Sequence, residues 1–247
     1  MNNCDNKNYK IYCLSYNNLE RKNSMKNRFD ILDLNYMFYD GINFDDVRLN
    51  CPESYKKCWS CMYGHLDMIE NFYNDPSVNY GIFCEDDIYI RKDFSNVIPK
   101  IIKDFEYMNL DVLSLGYLIS FKIENNNSNF NLIENSLNNI DCRYYNFLNN
   151  YDVWGTQMYM LSKENAKKIL EKYDRNSNYA IRTLTDNSLT PFSADWTITK
   201  DGNRGLIYPC IAVEDNNSNI SHYNGCISQF NYHKLCHEIQ YDSNLFI

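Results

Sequence analysis

From Tyr55 to Tyr73 the apolar side chains Trp59, Met62, Tyr63, Leu66, Ile69 and Phe72 recur every three or four residues, the mark of a helix buried along one face. Short apolar runs too brief for helices stand on either side: residues 9 to 14 (YKIYCL), 36 to 39 and 81 to 84. The polar stretch after residue 14 turns toward helix before Phe29, Ile31 and Leu32, so the chain opens as a strand followed by a helix. Further on, residues 94 to 108 have helical character despite Pro99, residues 111 to 115 form a strand closed by Gly116, and residues 157 to 161 form another. Ser162 then caps a helix from Lys163 to about Tyr173, and residues 194 to 199 and 205 to 213 complete the core elements. Strands alternating with helices predict the α/β class: a mostly parallel central sheet covered on both faces, in one domain spanning residues 1–247. Residues 122–150, rich in Asn and weakly patterned, are expected to be a surface insertion.

A net charge of -8 without a clustered basic surface argues against nucleic acid as a partner. No apolar run approaches the roughly 20 residues that cross a bilayer. The opening residues MNNCDNKNYK lack the apolar centre of a signal peptide, so a cytoplasmic chain is expected. Ten cysteines in such a chain read as small buried hydrophobes. Cys58 and Cys61 make a lone CxxC with no second pair at zinc-finger spacing, and one face of a helix explains it without a structural zinc. Neither GxGxxG nor GxxxxGK[ST] occurs, and no Ser-centred nucleophile elbow, which removes the usual dinucleotide, P-loop and hydrolase readings.

The chemistry concentrates in GIFCEDDIYI, residues 81 to 90. Three consecutive carboxylates, Glu85, Asp86 and Asp87, repel one another unless something positive lies between them. They sit at the carboxyl end of a predicted strand, where open α/β sheets bind ligands. Alternation along an extended segment puts Glu85 and Asp87 on one face and Asp86 on the other, so a Glu-x-Asp pair can hold a divalent ion and leave positions for phosphate oxygens. A solvated acidic turn is the plain alternative. Asp195, ahead of Trp196, is either a reactive carboxylate or a helix N-cap. His65 is either a ligand contact or a hydrogen-bonded core histidine. Arg21 reaches either phosphate or a surface ion pair, and Thr156 and Gln157 either line a pocket or satisfy backbone groups. His222 is either a late third metal ligand or an exposed loop histidine.

Several segments in this order resemble glycosyltransferase family 25, which includes bacterial lipopolysaccharide sugar transferases and collagen hydroxylysine glycosyltransferases. YCLSYNNLERKNSM is similar to the family's first strand and turn, Asp40-Gly41 to its aspartate-glycine, and SCMYGHLDMIE to its Gly-Cys-x-x-Ser-His helix, with Ser60 and Gly64 departing from the pattern. CEDDIYI matches Glu-Asp-Asp, and GTQMYMLSKENAKKIL closely resembles the Gly-Thr-x-x-Tyr-x-x-Ser segment. SADW, Pro209 and Ser218-Asn219-Ile220 resemble the closing motifs, with Asn219 standing for Asp. The resemblance implies a GT-A type Rossmann-like nucleotide-sugar domain that binds Mn²⁺ or Mg²⁺ and a UDP-sugar donor. It implies Glu85, Asp86, Asp87 and His222 toward the metal, with Leu14, Ser15, Arg21, Asp40, His65, Thr156 and Gln157 around the donor. Asp195 is the implied base of an inverting transfer of galactose or glucose to a glycan or to a collagen-like hydroxylysine or galactosyl-hydroxylysine. Two alternatives stay open: a nucleotidyltransferase or nucleotide-sugar hydrolase using the same metal site, and an inert nucleotide-sugar-binding protein.

Overall fold

The computed structural model describes residues 8–124, 129–133, 137–138, 140, 141–148, 152–173, 178–216, 223 and 225–247. The first half runs β1 (Tyr9–Ser15), α1 (Leu19–Ile31), β2 (Tyr36–Asp40), α2 (Glu53–Asn74), β3 (Tyr80–Glu85), β4 (Ile88–Ile90) and α3 (Phe94–Tyr107). The second half runs β5 (Val112–Leu118), β6 (Phe130–Ile133), β7 (Arg143–Phe147), β8 (Trp154–Ser162), α4 (Lys163–Tyr173), α5 (Tyr179–Arg182), α6 (Ala194–Thr197), β9 (Arg204–Tyr208), β10 (Ala212–Glu214) and α7 (Ile227–Gln240).

Eight strands form one sheet in the order β2-β1-β3-β8-β5-β9-β7-β6, while β4 and β10 pair separately. Side-chain alternation divides the core. Ile11, Cys13, Ile82, Cys84, Met158 and Met160 face α1 and α3, where Met25, Phe29, Ile98 and Ile101 pack against them. Tyr12, Leu14, Phe83, Tyr159 and Leu161 face the opposite layer with Trp59, Met62, Leu66 and Ile69 of α2 and Ile169 of α4. On that second face Tyr12, Phe83 and Tyr159 stack across β1, β3 and β8, with centroids 5.3 and 5.1 Å apart. Gly64 lets α2 approach β1, because a Cβ there would lie 2.8 Å from Leu14 Cδ1.

The expected mostly parallel sheet is corrected to a mixed one. β1 runs parallel to β2 and β3, and β5 runs parallel to β9. β8, however, lies antiparallel between β3 and β5, and β7 is antiparallel to both β6 and β9. Parallel neighbours need a crossover, usually a helix, and none is described between β5 and β8. The stretch expected as a surface insertion, residues 122–150, contributes to the edge of this sheet. Its strands β6 and β7 extend the main sheet, and Phe130, Tyr144 and Tyr145 are buried.

No disulfide joins the nine described cysteines, of which Cys13, Cys84, Cys142, Cys210 and Cys236 are buried. Among the described residues no helix is long and apolar enough to cross a membrane.

Candidate functional site

The site lies at the carboxyl ends of β1 and β3, where the sheet's edge meets α1 and α2. Asn17, at a φ of 47°, turns the chain out of β1, and Asn18 caps α1 by accepting the Arg21 backbone N–H at 3.0 Å. That cap fixes Arg21 in the first turn. Its guanidinium lies 2.8 Å from Asp86 Oδ1 and 2.5 Å from Asp87 Oδ2, while Ser15 Oγ donates to Asp86 Oδ2 at 2.6 Å. The positive partner that three adjacent acids require is therefore supplied in part by the chain itself. Asp86 is consumed by these contacts, and Glu85 points elsewhere.

Glu85 meets residues from α2 and β8. Thr156 Oγ1 lies 3.0 Å from Glu85 Oε1 and 3.1 Å from Asp195 Oδ1, and His65 Nε2 lies 3.7 Å from Glu85 Oε1. His65 is fully buried, with Nδ1 2.8 Å from the Tyr159 hydroxyl and Nε2 without a hydrogen-bond partner among the described residues. Asp195 is the second residue of α6. Ser193 holds the N-cap position without a side-chain bond, so the capping explanation for Asp195 fails.

Burial and mutual repulsion set the protonation of this cluster. Burial, followed by the Glu85 charge, pushes the Asp87 carboxyl well above the usual carboxylate range, with Arg21 pulling the other way. Burial likewise raises Asp86, against Ser15 and Arg21. Asp195 is raised by burial and then by Glu85, and the Thr156 hydrogen bond opposes the rise. Glu85 is the exception: burial acts to raise it, but His65, Thr156 and Arg21 together hold it below its ordinary value.

Two adjoining cavities open here. The first, about 320 Å³, is lined by Leu14, Tyr16, Arg21, Gly41, Phe44 and Lys57 together with all three acids. Tyr16 and Phe44 stack with centroids 6.4 Å apart, and both are partly exposed. The second, about 420 Å³, has Asp195, Gln157, Trp154, Glu214 and His233 in its wall. Glu85, Asp87, Lys57 and Cys61 line both.

The predicted residues sort accordingly. Leu14, Arg21, Glu85, Asp86, Asp87, Gln157 and Asp195 line one cavity or both. Ser15, His65 and Thr156 stand behind the lining and hold it. Asp40 does not join them: its side chain is 90% exposed and pairs with Lys22 at 3.0 Å, while Gly41 beside it does line the first cavity. His222 and Ser218-Asn219-Ile220 lie outside the described residues. Sequence reasoning missed Glu214, whose Oε2 lies 2.7 Å from His233 Nδ1 and whose Oε1 accepts from Tyr223 at 3.1 Å. Glu214 and His233 come from a three-residue strand and a helix without an apolar stripe, so no local pattern marked them.

Two donor sets could take an ion. Glu85 and Asp87 offer carboxylate oxygens facing a shared space, the chemistry that suits Mg²⁺ or Mn²⁺. Among the described residues, Cys61, His65 and Glu85 also bring ligand atoms within 4.8 Å of one another, a softer set. The charge count favours a cation in either case. Glu85, Asp87, Asp195 and Glu214 line the second cavity, and one Thr156 proton cannot serve both of its carboxylate neighbours.

Residues 8–185 match a family model described as glycosyltransferase family 25 (LPS biosynthesis protein). No curated protein matches. Among solved structures, A197 from STIV is similar at 13% identity, covering 80% of each chain with a TM-score of 0.40. A glycosyltransferase involved in the glycosylation of the major capsid of PBCV-1 is similar at 9% identity, covering 90% of this chain and 98% of that one, with a TM-score of 0.43.

Proposed function

The chain belongs to glycosyltransferase family 25, and from that premise we propose that it transfers a hexose, galactose or glucose, from a UDP-sugar to a hydroxyl acceptor with the help of Mn²⁺ or Mg²⁺. The proposal rests on one observation: two cavities of different chemistry share the walls formed by Glu85 and Asp87. The first suits a nucleoside diphosphate. Tyr16 and Phe44 offer flat apolar surface for a base, and Arg21, whose buried Nε has no hydrogen-bond partner among the described residues, lies beside the acids. The second suits the sugar and the acceptor, with Asp195 and Gln157 in its wall.

Glu85 and Asp87 would hold the divalent ion, which neutralises diphosphate charge and stabilises that group as it leaves. Asp86 remains with Ser15 and Arg21, so its part is to fix the guanidinium. In the transfer, the acceptor oxygen forms a bond to the anomeric carbon as the bond from that carbon to the diphosphate oxygen breaks. Asp195 takes the acceptor hydroxyl's proton. Burial suits it to this role, since a carboxylate raised above its ordinary value is the stronger base once ionised. Thr156 orients Asp195 and Glu85 together.

Thermal denaturation with UDP, with and without Mn²⁺, tests the site. Saturating UDP with Mn²⁺ should add about 2 to 4 kcal/mol of stability, and Asp87→Ala should remove most of it. A flat response, or an equal response in the variant, would sink the assignment. Product analysis with UDP-galactose and UDP-glucose then separates transfer from hydrolysis, because a transferase yields an elongated acceptor as its main product.

A further inference from the structure

Two of the chain's three tryptophans are exposed, and they touch each other. Trp154 opens β8 and Trp196 sits on α6, 46% and 38% exposed, with ring centroids 4.3 Å apart in an edge-to-face arrangement at 65°. Two exposed rings in contact make a small contiguous apolar patch, the kind of feature that borders ligand-binding grooves, where a single exposed ring would carry no such meaning. Their position is informative. Trp154 lines the second cavity, and Trp196 immediately follows Asp195.

The backbone is built to hold this arrangement. Gly155 has a φ of 101°, which side-chain-bearing residues rarely adopt, and a Cβ there would lie 1.9 Å from Gln157 Oε1. The strand therefore twists at Gly155, Trp154 stands at the rim, and Gln157 folds back over the glycine. Gln157 Oε1 is buried with no hydrogen-bond partner among the described residues, although its residue lines the cavity. A buried acceptor of this kind calls for a donor from a ligand.

We infer that Trp154 and Trp196 form a stacking platform for a pyranose ring of the acceptor, whose hydroxyl donates to Gln157 Oε1 while another is presented to Asp195. A pyranose fits because it has two unlike surfaces. Its ring C–H groups present a weakly positive face to the negative face of an indole, and its hydroxyls form a polar edge. A peptide hydroxyl carried on a flexible side chain offers no such face. The acceptor is accordingly a saccharide end, a deepening that rests on the transferase reading above.

Two-substrate kinetics with methyl glycosides and short oligosaccharides, set against a hydroxylysine peptide, tests the assignment. Saccharide acceptors should be elongated and the peptide should not. Trp154→Ala should raise the saccharide KM roughly tenfold while UDP with Mn²⁺ stabilises the variant as it does the parent, and Trp154→Phe should recover most of the loss. Saccharide alone should also change tryptophan emission, a signal that Trp196→Phe reduces. Transfer to the peptide with equal efficiency, or a saccharide KM unmoved by Trp154→Ala, would overturn the platform while leaving the transferase standing. Emission changes with saccharide in a protein that turns over no UDP-sugar would support the platform and remove the transferase instead.

Discussion

Thr156 has one hydroxyl proton and two carboxylates within reach, Glu85 at 3.0 Å and Asp195 at 3.1 Å. Its bond stabilises the ionised form of Asp195, against burial and the Glu85 charge, which both favour the proton. Thr156→Val keeps the shape and deletes that bond, so the Asp195 carboxyl should rise further. A base must be ionised to act, and an acid with a higher pKa ionises at higher pH. The acid limb of the kcat/KM profile should therefore move to higher pH in Thr156→Val, measured against the parent in the same Mn²⁺ buffer; a limb that stays put or moves down would remove Asp195 as the base. At this scale the sequence was informative where charge was dense. Glu85, Asp86 and Asp87 announced themselves because adjacent acids after an apolar strand need an explanation. That Arg21 would supply part of it was not readable, since the pairing spans more than 60 positions and depends on how α1 lies against β3. Asp40 is the opposite case: the turn beside the site puts its glycine in the wall and its carboxylate in solvent, which the sequence alone does not distinguish.

Beyond the β7–β9 ladder, one buried carboxylate ties the β6–β7 edge to α3. Asp104 on α3 is fully buried and accepts from the Leu137 and Asn138 backbone N–H groups at 2.8 and 3.2 Å, from Asn138 Nδ2 at 2.8 Å, and from the Tyr144 hydroxyl at 2.8 Å. Asp104→Ala leaves these donors without their charged acceptor, which costs about 3 kcal/mol, a large share of a domain's net stability. Urea unfolding should show the loss, and a midpoint within error of the parent would mean the hairpin is anchored elsewhere. Elements were legible in proportion to their apolar periodicity. The face of α2 could be read directly, as could the Ser162 cap of α4, whose Oγ accepts from Asn165 N at 3.2 Å. By contrast, β4 and β10 have three residues each, β6 alternates weakly, and α7 buries only Cys236. The direction of β8 was not written in its own residues, because an apolar strand looks the same parallel or antiparallel until its neighbours are known.

At the scale of the molecule, the two cavities draw on different lengths of chain. The first is built wholly from residues 14 to 87, whereas the second takes its wall from α2, β8, α6, β10 and α7, reaching to His233. The end of the chain is tied down to make this possible. His237 Nδ1 lies 2.7 Å from the Glu214 carbonyl, Gln240 donates to Ile119 O at 2.9 Å, and Ile90 and Ile247 exchange backbone hydrogen bonds. Such a division predicts separable defects. Phe44→Ala removes half of the stacked aromatic pair in the first cavity and should raise the UDP-sugar KM several-fold, corresponding to about 1 kcal/mol, with the acceptor KM nearly unchanged. His233→Ala removes a side chain that Glu214 holds against the second cavity, and should do the reverse. Both follow from initial rates with each substrate varied in turn. If Phe44→Ala disturbed only the acceptor, or His233→Ala only the donor, the nucleotide and acceptor would have to exchange cavities, and Asp195 could no longer serve as the base beside the acceptor.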